Sequence, residues 1–189
     1  MTLLPLPEGL EASAPAVWLA TWFGAGLVDP LRAGLAVATI FVIALTLGGP
    51  ARGLWFALLL VTAIAGSWVS GVWEGATGIS DNRLIVIDEV AGYAAVLAVL
   101  GGSGWRGPGV AALLFLALDR LKPWPFDRVE AVPGGIGVML DDIALGLTLG
   151  GTMLFVQQVL RRRRKIARWT DSCRKGMARG ERTDCPSGC

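Results

Sequence analysis

Five apolar runs, residues 33–47, 54–72, 84–100, 110–121 and 143–160, constrain this chain more than any other feature. Side chains of this kind cannot hydrogen-bond the backbone they accompany. A helix closes its own N–H and C=O groups within one segment, which is the solution a lipid environment demands. Hydrophobic residues make up 53% of the chain and charged residues 17%, against about 25% charged in water-soluble domains. Abundant Gly and Ala suit helices that approach closely in a bilayer. Trp22, Trp55, Trp73, Trp105 and Trp124 fall near the ends of apolar runs, where amphipathic rings rest at head-group level. The expectation is therefore an all-α fold: a compact polytopic membrane bundle of about five apolar helices. Residues 143–160 would rise about 27 Å as a helix, close to the hydrocarbon thickness. Residues 33–47, 84–100 and 110–121 are short enough to be tilted, re-entrant or buried behind the others.

Three regions follow from this reading. Residues 1–32 form an N-terminal segment with an interfacial helix, and they carry acids and prolines where a cleavable signal would be basic. Residues 33–160 form the helical membrane domain, and residues 161–189 form a basic tail of disordered composition. Ten of the seventeen basic residues lie from Arg161 onward, beginning with the run Arg161–Lys165. Beside an apolar run, such a cluster reads as an anchor for anionic lipid head groups rather than a nucleic-acid surface. Cys173, Cys185 and Cys189 all fall in the tail, so no disulfide framework is expected for the core.

The acids carry the functional signal. Asp88, Glu89, Asp119, Asp141 and Asp142 lie inside or at the edge of apolar runs. A charge at membrane depth costs at least roughly 2.5 kcal/mol, so five of them call for a shared polar site. If the segments alternate in direction, Glu74, Asp81, Asp88 and Glu89 meet Asp119, Lys122, Asp141 and Asp142 at one membrane face. The chain has no histidine, and oxygen ligands without histidine or buried thiolate select a hard cation, most simply Mg²⁺. The ordinary structural role, helix capping, suits Asp141 or Asp142 at the start of the last run. It does not account for Asp88, Glu89 and Asp119 together.

Three blocks carry a resemblance. Residues 74–92 read EGATGISDNRLIVIDEVAG, residues 119–125 read DRLKPWP, and residues 133–146 read PGGIGVMLDDIALG. In this order and spacing the stretch 72–150 resembles the phosphatidylglycerophosphatase A family. The resemblance implies a Mg²⁺-dependent phosphatase that converts phosphatidylglycerophosphate to phosphatidylglycerol in phospholipid biosynthesis, multi-pass in a bacterial inner membrane. It implies metal ligation by Glu74, Asp81, Asp88, Glu89, Asp141 and Asp142, and catalysis by Asp88, Glu89, Asp119 and Lys122. Substrate contacts fall to Lys122, Arg120, Gly134 and Gly135. Lys122 suits a phosphate as a point charge, and a glycine turn lets backbone approach an anion. Gly92 and Gly146 read instead as close-packing positions. Two departures stand out. Leu116 occupies the place of a family arginine, and residues 29–32 do not continue the family's N-terminal turn, which leaves Arg32 and Arg120 as nearby cationic candidates.

Other chemistries are poorer fits. A phosphohistidine route lacks its histidine. The aspartyl-phosphate and CDP-alcohol motifs are missing from the sequence. Cys173–Arg179 matches a Cys-x5-Arg phosphatase loop, but that loop needs a strand before it and a helix after it. The non-enzymatic alternative is a cation-binding membrane protein or ion-coupled transporter, which would distribute its acids across the membrane depth; an inactive paralogue, or one acting on another phosphorylated lipid, is the other alternative.

Overall fold

The computed structural model describes residues 1–11, 14–47, 52–79, 82–101, 104–121 and 135–178. Four of the five apolar runs are helical throughout, and the run 84–100 is helical from Ile87. A short helix, α1 (Pro15–Ala20), precedes α2 (Arg32–Leu47), α3 (Arg52–Thr77), α4 (Ile87–Leu100), α5 (Arg106–Leu121) and α6 (Gly135–Ala178). Among the described residues, two helices are long and apolar enough to cross a membrane: α3, and α6 over Gly135–Asp171. Met1–Gly151 forms one compact unit and Thr152–Cys189 a second.

Within the first unit, α4 is the central element. Nine of its residues, Ile87 and Val90–Leu97, are buried, so it shows no polar face of the kind a surface helix keeps. Its neighbours are amphipathic in an inverted sense. On α3 the inward stripe Trp55, Leu59, Thr62, Gly66, Val69, Ser70 and Trp73 repeats at helical spacing, while Phe56, Ile64 and Trp68 point outward and stand more than half exposed. Such an apolar outer face is one that a bilayer accepts. Two hydroxyls on α3 are met by its own backbone, Thr62 Oγ1 donating to the Leu58 carbonyl at 2.8 Å and Ser67 Oγ to that of Ala63 at 2.8 Å, while the buried Ser70 Oγ has no partner among the described residues.

The helix ends follow local chemistry. Gly101 closes α4 in the left-handed conformation, its N–H donating to the Leu97 carbonyl at 2.8 Å, as an αL cap requires. The helix α6 begins at Gly135 and continues through the basic run to Ala178. Residues 161–178, whose polar composition suggested a disordered tail, are thus helical. Arg and Lys are strong helix formers, and they extend a helix already nucleated by the apolar run.

Two close approaches fix α6 on α4 within the first unit. A Cβ on Gly146 would collide with the carbonyl oxygen of Gly92, and one on Gly92 would collide with the Phe115 ring and the Asp142 carbonyl. Glycine at both positions lets the backbones touch, which is the packing role read from their spacing. From the other side, the Tyr93 hydroxyl donates to the Pro108 carbonyl at 2.9 Å in a buried setting, joining α4 to α5.

The N-terminal segment is tied down at several points. A two-residue antiparallel ladder pairs β1 (Thr2–Leu3) with β2 (Val28–Asp29). The Val86 N–H donates to the Ala20 carbonyl at 2.9 Å, and a Cβ on Gly26 would strike the Leu84 carbonyl oxygen. The stretch leading into α4 is therefore clamped against the turn that follows α1.

Candidate active site

The acids converge from three helices. Asp88 and Glu89 occupy the first turn of α4, where a negative charge is favoured by the helix dipole. Asp119 sits in the last turn of α5, where the dipole opposes it, with Arg120 beside it. Asp141 and Asp142 are buried, six and seven residues inside α6 rather than at its start, so neither caps that helix. The Asp88 Oδ1 accepts the Glu89 N–H at 3.0 Å, and the Asp141 Oδ1 accepts the Asp142 N–H at 2.9 Å.

All five acidic residues line one cavity of about 410 Å³ in the first unit, together with Arg32, Arg83 and Arg120. Pro30, Ala33, Ile85 and Val138 complete the wall. Asp88 and Glu89 are adjacent in the first turn of α4, and Asp119, Asp141 and Asp142 share their cavity wall. Carboxylates this close cannot all be charged without something positive between them, since unit charges 4 Å apart repel by about 4 kcal/mol even at an effective dielectric near 20. The Glu89 Oε2 atom is buried with no hydrogen-bond partner among the described residues. A buried unpaired oxygen is costly, and an orphan of this kind at a polar cavity marks a place for a proton, a water or a cation.

Other expected site residues are placed differently. Glu74 lies on α3 and is not among the residues lining the cavity, its carbonyl accepting the Gly78 N–H at 2.8 Å. Gly135 also stands apart from the wall: a Cβ there would meet the Ser67 carbonyl and the Gly71 nitrogen, so its bareness serves the packing of α6 on α3. Asp81, Lys122 and Gly134 lie outside the described residues. Cys173 is within α6, with no strand before it, which removes the strand–loop–helix that a thiolate phosphatase needs.

Sequence reasoning passed over Arg83. Its signal was weak, an arginine beside Asn82 in a loop, and its meaning came only from the turn that holds it. The Asn82 Oδ1 accepts the Leu84 N–H at 3.1 Å and the Asn82 carbonyl accepts the Ile85 N–H at 2.9 Å, an Asx-type turn with Arg83 at its crest. Arg32 is held on the same wall by an ion pair with Asp29 at 3.2 Å.

Residues 18–157 match the family described as Phosphatidylglycerophosphatase A. The chain belongs to the phosphatidylglycerophosphatase A family. It is 31% identical over 166 residues to a phosphatidylglycerophosphatase A of Escherichia coli, covering 82% of this chain and 94% of that protein. It is 33% identical over 137 residues to a candidate phosphatidylinositol-3-phosphatase of Bacteroides thetaiotaomicron, covering 69% and 86%. No solved structure matches the chain. As a member of this family the protein is a phosphatase, a phosphoric monoester hydrolase of the lipid-phosphatase kind. The matched region contains α2 to α5 and the first part of α6, and with them every described residue that lines the carboxylate cavity.

The donor set also bears on which cation this phosphatidylglycerophosphatase A relative could use. The acids on the cavity wall offer carboxylate oxygens, which suit Mg²⁺ or another hard cation. Among the described residues no three His, Cys, Asp or Glu side chains converge into a ready-made metal cage. Mg²⁺ does not require one: it keeps several waters and is commonly held by one or two carboxylates plus substrate phosphate. The residues present fit such an ion.

Proposed function

We propose that the protein removes the terminal phosphomonoester of phosphatidylglycerophosphate to give phosphatidylglycerol, with Mg²⁺, as a multi-pass protein of a bacterial inner membrane. The observation that carries this reading is the convergence of five carboxylates and three guanidinium groups on one cavity in a member of a lipid phosphatase family. An ion path would spread its acids along the span; these are gathered from one turn each of α4, α5 and α6.

In this reading Asp88, Glu89, Asp141 and Asp142 supply the ligands that hold the ion. Bound there, Mg²⁺ would neutralise phosphoryl charge and acidify a bound water. The chain's own groups do the rest. Arg120, with Lys122, binds the phosphomonoester and offsets its charge. Asp119 or Glu89 orients the attacking water and takes its proton, carboxylates being the available bases in a chain without histidine. The low-dielectric walls around Ile85 and Val138 strengthen these charge contacts by limiting water.

Both named relatives point to substrates of one chemical shape. Phosphatidylglycerophosphate and phosphatidylinositol 3-phosphate each bear a phosphomonoester on a polyol that is joined to the lipid through a phosphodiester. The Escherichia coli relative, matched along 94% of its length, favours the glycerol head group; the inositol lipid is the second reading, supported by the Bacteroides relative.

Purified protein in detergent should release inorganic phosphate from phosphatidylglycerophosphate with Mg²⁺, and stop when EDTA is added. A faster reaction with phosphatidylinositol 3-phosphate would select the second reading. No release from either lipid, with Mg²⁺ or Mn²⁺ present, would sink both.

A further inference from the structure

Arg32 and Arg83 belong to two cavities at once. Besides the carboxylate cavity they line a neighbouring one of about 510 Å³. This second cavity is walled mainly by apolar groups, namely Leu4, Pro5, Pro7, Ile79 and Leu84, with Asp29 and Asn82 as its other polar members. The two arginines thus stand on the partition between an acidic chamber and an apolar one.

Their own charges are only partly answered. Arg32 pairs with Asp29, whose side chain is 40% exposed, and a guanidinium has five N–H donors, so one ion pair leaves a free edge. Arg83 makes no ion pair among the described residues and is exposed at the crest of its turn. An acidic chamber alone would repel any second phosphate on its substrate. Two guanidinium groups on its rim, each with donors to spare, reverse that repulsion locally, and their planar forks match a phosphate's paired oxygens.

We infer that Arg32 and Arg83 form a subsite for the substrate's phosphodiester, placing the polyol phosphomonoester among the carboxylates and the lipid glycerol in the apolar cavity. This rests on the lipid phosphatase reading above and adds to it a rule of selection. A lipid whose only phosphate is the phosphomonoester, such as phosphatidic acid, leaves the arginine pair unfilled. The enzyme then discriminates by counting phosphates along the head group rather than by reading the polyol. The fold supports the placement: the β1–β2 ladder brings Leu4 beside the start of α2, and the Gly26–Leu84 contact fixes the turn that bears Arg83.

The test compares Arg83→Gln with wild type in two measurements. In the first, kcat/KM is taken for phosphatidylglycerophosphate and for phosphatidic acid, and the ratio of the two is the readout. The variant should lose about tenfold of that ratio, through KM rather than kcat, as expected for loss of a charged binding contact, and Arg83→Lys should restore part of it. In the second, short-chain phosphatidylglycerol, which keeps the diester and lacks the monoester, is bound at equilibrium to Asp142→Asn protein. Adding Arg83→Gln should weaken that binding about tenfold. An equal loss on both substrates, or phosphatidylglycerol binding that ignores Arg83, overturns the subsite. Diester-dependent binding without any phosphate release would instead leave the subsite standing and overturn the hydrolase reading.

Discussion

Asp142 is where burial and function collide most directly. It is 3% exposed, its backbone carbonyl lies against Gly92, and it shares the cavity wall with Asp119. A carboxylate so placed opposes folding unless something positive joins it, so its retention is functional rather than structural. Asp142→Asn removes one charge from a crowded set and should leave the fold intact. It should also lower phosphate release by roughly a hundredfold or more, the size expected for a group that holds the ion or the water. Helical circular dichroism and unfolding temperature in detergent, read alongside turnover, check both halves. Turnover near wild type would show that the pair Asp119–Asp142 is not in the reaction path. At the same scale, Tyr93→Phe deletes the buried bond to Pro108 and should cost about 1 kcal/mol of stability, visible in thermal unfolding, with catalysis changed far less.

At the scale of elements, the site depends on how near α4 and α6 come. The Gly92–Gly146 crossing brings the first turn of α4 and the second turn of α6 together, which seats four of the five acids on one wall. Gly146→Ala forces a methyl group into the Gly92 carbonyl, and overpacking of this kind costs about 1–3 kcal/mol. The expected outcome is a lower unfolding temperature together with reduced kcat, because the helices separate along the line that carries the acids. Gly26→Ala presses instead on Leu84 and so on the turn bearing Arg83. It should raise KM for the lipid more than it lowers kcat. Steady-state kinetics of the two variants side by side distinguish a displaced metal wall from a displaced substrate wall.

At the scale of the whole molecule, the basic run Arg161–Lys165 follows the apolar half of α6 and is exposed. Changing Arg161, Arg162, Arg163 and Arg164 to Gln should weaken association with anionic vesicles several-fold at low salt and less at high salt. Turnover of detergent-dispersed substrate should stay near wild type, since none of these residues lines the cavity. Flotation assays at two ionic strengths measure it. The sequence by itself determined the helical class, since five apolar runs leave the backbone no partner but itself. It also determined the family, through local blocks whose order survives without coordinates, and it singled out five acids that the fold gathers on one cavity. The packing role of Gly92 and Gly146 was legible too, because glycine at helical spacing has few other uses in apolar helices. Tertiary structure decided the rest. Glu74 and Gly135 fell away from the cavity because a residue's face on a helix depends on which neighbour packs against it. Arg32 and Arg83 came together across 50 residues of sequence because a short β ladder and one bare glycine fold the N-terminal segment onto the entrance of α4. No local pattern encodes that meeting; it exists only once the intervening helices have buried their faces.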